Sequence, residues 1–261
     1  MRPRTCGGNV PGARRLIQLT ASLGLVGGAT ILAVATGGAA VVGNSIANDT
    51  PAHILTITKA ATNSAGSFTV TCTAEAPSLG LTGTVTTNVG GVVGTQNTTQ
   101  RVRTLGIGTV QTRFVGGVDY FKGNAVFLEI QFGVTNSKYA NKWISVSKGQ
   151  LDYAIISSGM TLSSALLQIG PVAPLSKSKV ETFAGKSVVA VIGKVNPNQR
   201  AGTGSQHIFV AGASPNRPVG LSISTKLSGH AYHGTCTFAN WKHKFVVTKP
   251  SGSTPINKTG L

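Results

Sequence analysis

Carboxylates are scarce in this chain: six Asp and Glu stand against 23 Lys and Arg in 261 residues. Acid–base and glycosidase chemistry call for paired carboxyl groups. The two nearest in sequence, Asp119 and Glu129, form no local motif. A G-x-S-x-G elbow, an H-E-x-x-H helix and a G-x-x-x-x-G-K-[ST] loop are also missing. With 34 glycines, looser Gly-rich matches are inevitable and carry no weight. The chain reads as non-enzymatic, with no cofactor.

Aromatics make up only 6% of the residues, and no aromatic-rich strand of an RNA-binding sheet is present. The basic residues are spread out, with Lys177, Lys179, Lys186 and Lys194 in one region and Lys242, Lys244 and Lys249 in another. Nucleic acid is therefore not an expected partner. A diffuse positive surface suits a membrane surface or an anionic envelope polymer, or serves solubility alone. Because charged residues are only 11% of the chain, its surface must be rich in Thr, Ser, Asn, Gln and Gly. With 41% hydrophobic residues, a packed core is within reach.

Cysteine is nearly absent: Cys6, Cys72 and Cys236. Strand alternation puts Cys72 on the face of Val70 and Phe68, and Cys236 on that of Phe238. Both point to a core, either as a disulfide in an oxidising compartment or as two separate buried thiols. The histidines of "HAYHGTCTFANWKH" would be metal ligands if they converged. Strand parity separates His230 from His233, so no metal is expected. Cys236 faces inward and is no activated nucleophile.

Charge of either sign is missing between Arg15 and Asp49. Four basic residues, Arg2, Arg4, Arg14 and Arg15, precede this apolar run, and small residues end it at Ser45-Ile46-Ala47, with Gly38-Ala39-Ala40 as a second exit. This is the pattern of an export signal; the run also exceeds the ~20 residues that span a bilayer, so an uncleaved anchor fits as well. Residues 1–47 are read as signal peptide or N-terminal anchor, 48–250 as one domain, and 251–261 as a flexible C-terminal tail. The protein is expected outside the cytoplasm, secreted or held in the envelope.

Within the domain, Asp49 or Thr50 can cap a helix that has Pro51 in its first turn and stops at Gly66. Period-2 stretches follow; in "LGLTGTVTTNV", Leu81 and Val85 oppose Thr82, Thr84 and Thr86. "GGVVGTQNTTQRVRTL" reads as a further strand with loose ends, and "IGTVQTRFVGG" puts Val110, Thr112 and Phe114 on one face. "GGVDYFKGNAVFLEIQFG" then changes from strand to a short, almost wholly apolar helix. Short helices are also expected in "SKYANKW" and "GQLDYAIISSGMTLSSALLQI", ending where Pro171 and Pro174 break the chain. Strands resume from Lys177, with "VVAVI" apolar on both faces and so expected centrally. These elements make one α+β domain: a long, mostly antiparallel sheet with helices inserted midway.

Several stretches resemble actinobacterial envelope lipoproteins of the LppX/LprG type. "TPAHILTITKAATNSAGSFTV" is similar to that family's opening helix and strand. "GGVDYFKGNAVFLE…SKYANKWISV" resembles its core turn, helix and following segment, through Tyr120, Lys122, Gly123, Asn124, Tyr139, Ala140, Lys142 and Trp143. "VETFAGKSVVAVIG" and "RPVGLSIS…TFANW" are similar to later strands. The resemblance implies a curved half-barrel sheet around helices with a hydrophobic cavity that holds an acylated lipid or glycolipid. The apolar helix would then roof the cavity with Phe127, Leu128 and Phe132. Alternation nominates Leu81, Val85, Val110 and Phe114 as the facing wall, with Leu162 and Leu166 from a later helix. The alternative is a structural or interaction module in which the same side chains fill a solid core. One departure is plain: no cysteine stands between Cys6 and Cys72, so the family's lipidated cysteine has no counterpart.

Overall fold

Thr50 opens the first long helix by accepting a hydrogen bond from His53 N, and Pro51 occupies its first turn. This helix, α1 (Pro51–Ala65), stops where Gly66 turns left-handed at φ 74°. A computed structural model describes residues 46–135, 137–150, 158–196, 203–227 and 229–261. The expected leader, its cleavage or anchoring, and the helix expected over 151–157 lie outside the described residues, apart from Ile46 and Ala47. A 3₁₀ turn, Ile46–Asn48, precedes α1 and already belongs to the domain. Ile46 is 3% exposed within the core. The Lys177 ammonium donates to the carbonyls of Ala47 and Asp49.

The strands are β1 (Phe68–Ala76), β2 (Leu81–Val89), β3 (Gly94–Val102), β4 (Gly106–Val115), β5 (Val118–Gly123) and β6 (Ile144–Ser147) in the first half. In the second half come β7 (Val172–Phe183), β8 (Lys186–Lys194), β9 (Thr203–Ala211), β10 (Pro218–Leu227), β11 (His230–Ala239) and the two-residue β12 (Thr254–Pro255). They form one open sheet in the order β12-β6-β5-β4-β3-β2-β1-β11-β10-β9-β8-β7. Every pairing is antiparallel except β12 with β6. Each half is a meander, and the β1–β11 pairing joins first strand to eleventh. There Cys72 lies opposite Cys236, and the two form a disulfide.

Two further helices, α2 (Ala125–Phe132) and α3 (Leu162–Gln168), lie with α1 on one face, here called inner. The outer face is polar. Thr73, Thr84, Thr99 and Thr109 run across β1 to β4 in one register row, with Thr95, Asn97 and Gln111 nearby on the same face. None of the described helices is long and apolar enough to cross a membrane.

Several expectations differ from what forms. Residues 137–143 are turns rather than a helix, with Asn141 left-handed at φ 58°; its N–H donates to the Gly123 carbonyl, tying the turn to β5. Pro174 does not end the middle region but sits inside β7, because β7 is the sheet edge and needs no donor there. "VVAVI" lies in β8, one strand from that edge, and not at the centre.

The C-terminal segment, expected as a flexible tail, is built into the fold. It crosses the outer face, where Arg113 Nη1 donates to the Thr248 carbonyl at 3.1 Å and the Arg113 guanidinium lies 4.8 Å above the Trp143 ring. Thr254 N then donates to the Trp143 carbonyl and β12 joins β6. Beyond it Ile256 and Leu261 pack with Phe121, Phe127 and Leu128.

Candidate functional site

The apolar interior is split, whereas a single domain usually has one contiguous core. The larger cluster joins α1 and α3 to β1 and β8–β11, with the disulfide inside it. The smaller one gathers Val110, Phe121, Phe127, Leu128, Ile144, Val146 and Ile256. Helix α2 belongs to both: Val126 and Ile130 meet the first, Phe127, Leu128 and Phe132 the second. Apolar side chains on more than one side of a helix need apolar neighbours on each, and α2 contributes to both clusters.

Its seat is cut by glycines. A Cβ on Gly123 would collide with the Phe127 ring, and one on Gly108 would press on the Phe127 backbone and Ile130 Cδ1. Asn124 caps the helix with Oδ1 2.8 Å from Phe127 N, and the same oxygen accepts from Thr109 N at 3.1 Å. Asn124 Nδ2 donates to the Ile107 carbonyl at 2.9 Å. The start of α2 is thus fastened to β4, while its far end leaves through the left-handed Gly133, φ 72°.

Of the nine side chains nominated as cavity lining, seven fall in one or other cluster and two, Val85 and Phe114, in neither. Val110, Phe127, Leu128 and Phe132 come together in the smaller one, where Phe121 stacks on Phe132 at 5.6 Å. Leu81, Leu162 and Leu166 belong to the larger. Phe114 is half-buried, opposite Gly94 and Asp119 on neighbouring strands. Val85 is 6% exposed yet belongs to neither cluster. Its inner-face neighbours in register are Cys72 on one side and, on the other, Thr98 followed by Val110.

What pattern reading missed is the inner face of β3. Gln96, Thr98 and Gln100 all point inward and are buried, with Thr87 and Thr112 beside Gln96. Gln96 Nε2 donates to Thr87 Oγ1 at 3.0 Å. Gln100 lies between Gly83 and Gly108. In "GTQNTTQRV" both faces are polar, so alternation assigns no inside; only the apolar neighbours in β2 and β4 do. A small space of about 10 Å³ lies within β1–β3, beside Ala74, Gly83, Val85, Thr98 and Thr99, room for one water and not for an acyl chain.

Elsewhere on β11, His230 Nδ1 lies 3.1 Å from Ser78 Oγ and His233 Nδ1 lies 3.3 Å from Ser224 Oγ. Among the described residues no three His, Cys, Asp or Glu come close enough to share a metal. Tyr232 is buried, and desolvation pushes its hydroxyl up to about 12.

No protein-family profile matches this chain, and no curated protein matches it. Among solved structures it is similar to LprF from Mycobacterium bovis, at 16% identity and TM-score 0.47, over 77% of this chain and 97% of that one. It is also similar to the Mycobacterium tuberculosis lipoprotein LppX, at 14% identity and TM-score 0.46, over 76% and 98%. A DUF1329 family protein from Desulfovibrio piger aligns at 7% identity and TM-score 0.31, over 76% and 96%.

Proposed function

We propose that this is an exported, non-enzymatic envelope protein that binds the acyl chain of a lipid or glycolipid between α2 and the inner face of the sheet. The observation that carries the reading is the split core. Among the described residues α2 contributes side chains to both apolar clusters, and the buried Val85 joins neither. In this reading α2 lifts at its Gly133 end to admit the chain, since the helix is fastened to β4 only at its start. Val85 and Val110 then form the floor, Phe127, Leu128 and Phe132 the roof, and Leu81, Phe114, Leu162 and Leu166 the flanks. The position of Ile46 inside the core supports signal processing upstream of it, at Gly38-Ala39-Ala40 rather than after Ala47.

A second reading has a specific observation in its favour: Leu128 is 0% exposed and the Phe127 ring rests directly on Gly123. In that case the seam is solid and the protein is a structural or interaction module without a ligand. Val85→Trp separates the two. In the lipid reading it fills the floor, so a fluorescent fatty acid that binds the unmutated protein is lost. In a solid core the unmutated protein binds no probe, and the overpacked variant loses about 1–3 kcal/mol of stability.

A further inference from the structure

We propose that the outer face carries a binding site for an acidic polysaccharide, in an open groove at one end of β1–β3. The site lies on the polar side of the sheet and does not depend on the acyl reading. The groove has two overlapping parts that share Glu75, Thr82 and Arg101. One, of about 290 Å³, takes in the register row Thr73, Thr84 and Thr99. The other, of about 440 Å³, reaches Gly80 and Arg103. From Thr99 to Arg103 the groove follows the chain for about 13 Å. The C-terminal segment bonds Ser67 and Arg113 at the far ends of β1 and β4. At the near end Thr82, Thr84, Thr99, Arg101 and Arg103 are all exposed.

The arginine end is built by the turn before β2. Arg103 N donates to the Gly80 carbonyl at 3.1 Å. Gly80 is left-handed at φ 57°, and a Cβ on it would lie 2.8 Å from Arg103 Cβ and 3.1 Å from Nε. The missing side chain is what lets Arg103 lie over the turn. Arg101, opposite Thr82, lines the same part of the groove.

The lining selects the ligand. A guanidinium fork matches a carboxylate or a phosphate, so the arginine end takes an acidic group. Glu75, opposite Thr82 on its other side, sets the limit. Its carboxylate accepts from a hydroxyl but opposes an unbroken line of negative charge, such as polyphosphate or an anionic membrane. The threonine hydroxyls donate and accept alike. Among the described residues no aromatic side chain lines either part, so nucleobases have no ring to stack on. A chain that spaces acidic groups with hydroxyls fits, and an acidic polysaccharide is such a chain.

Titration calorimetry at low salt tests the site with three oligosaccharides: hexagalacturonate, a phosphomannan fragment and neutral maltohexaose. The unmutated protein should bind hexagalacturonate or the phosphomannan at least tenfold more tightly than maltohexaose, and the better of the two identifies the acidic group. Arg101→Gln with Arg103→Gln should weaken that binding tenfold or more at an unchanged melting temperature. Lys242→Gln with Lys244→Gln removes the same charge outside the groove and should weaken it less than threefold. Equal binding of acidic and neutral oligomers, or no binding of either, overturns the site. An equal loss in the two double variants overturns it in favour of diffuse charge. Binding of polyphosphate or phosphatidylglycerol vesicles as tight as that of the better acidic oligomer overturns the choice of ligand.

Discussion

Asn124 and Thr109 bond each other twice: Thr109 N donates to Asn124 Oδ1 at 3.1 Å, and Asn124 N donates to the Thr109 carbonyl at 3.0 Å. With the bond from Phe127 N, one side chain both caps α2 and fixes it to β4. Asn124→Ala should therefore cost more than an isolated cap, at or above the upper end of about 0.5–2 kcal/mol. Asn124→Asp keeps the acceptor and loses only the donor to Ile107, so it should fall between the two. Urea denaturation of the three proteins gives the order.

The Cys72–Cys236 bridge spans 164 positions and joins β1 to β11, where the two meanders of the sheet meet. Mass analysis of the folded, exported protein should find both thiols blocked and two hydrogens missing. In the chain-entropy treatment, the doubly substituted Cys72→Ala, Cys236→Ala protein should lose roughly 4–5 kcal/mol. Two freely alkylated thiols would contradict the pairing.

Tyr232 makes a pH-dependent contribution of known sign. Its hydroxyl titrates near 10 when unfolded and is raised to about 12 in the fold. The contribution is complete below pH 10 and is lost as pH climbs through about 12. Because the buried hydroxyl has no hydrogen-bond partner, Tyr232→Phe should stay within about 1 kcal/mol of the parent at neutral pH. Above pH 10 it should flatten the decline. Melting curves at pH 7, 9, 10 and 11 check both statements.

Where hydrophobic side chains alternated, the sequence disclosed the architecture. Leu81 and Val85 in β2, Val110 and Thr112 in β4, and the apolar run of α2 all lie where their periodicity put them. The facing cysteines were legible for the same reason, since both shared a face with core residues. The polar floor was not, because β3 alternates polar with polar and only its neighbours decide which half is buried. The C-terminal strap escaped too: "SGSTPINKTGL" has one large apolar side chain before its last residue, and its anchoring depends on Trp143 and Lys258 backbone carbonyls that no local pattern announces. Pro174 misled because a proline's meaning depends on whether its strand is an edge.

The central claim is that an acyl lipid lies between α2 and the inner face. Native mass spectrometry of the protein, purified from an exporting host without detergent, tests it most directly. The account predicts a species heavier than the polypeptide by the mass of one acylated lipid, released on collisional activation. A bare polypeptide mass, together with no uptake of added monoacylglycerol or fatty acid, would contradict it and leave a solid-cored interaction module in its place.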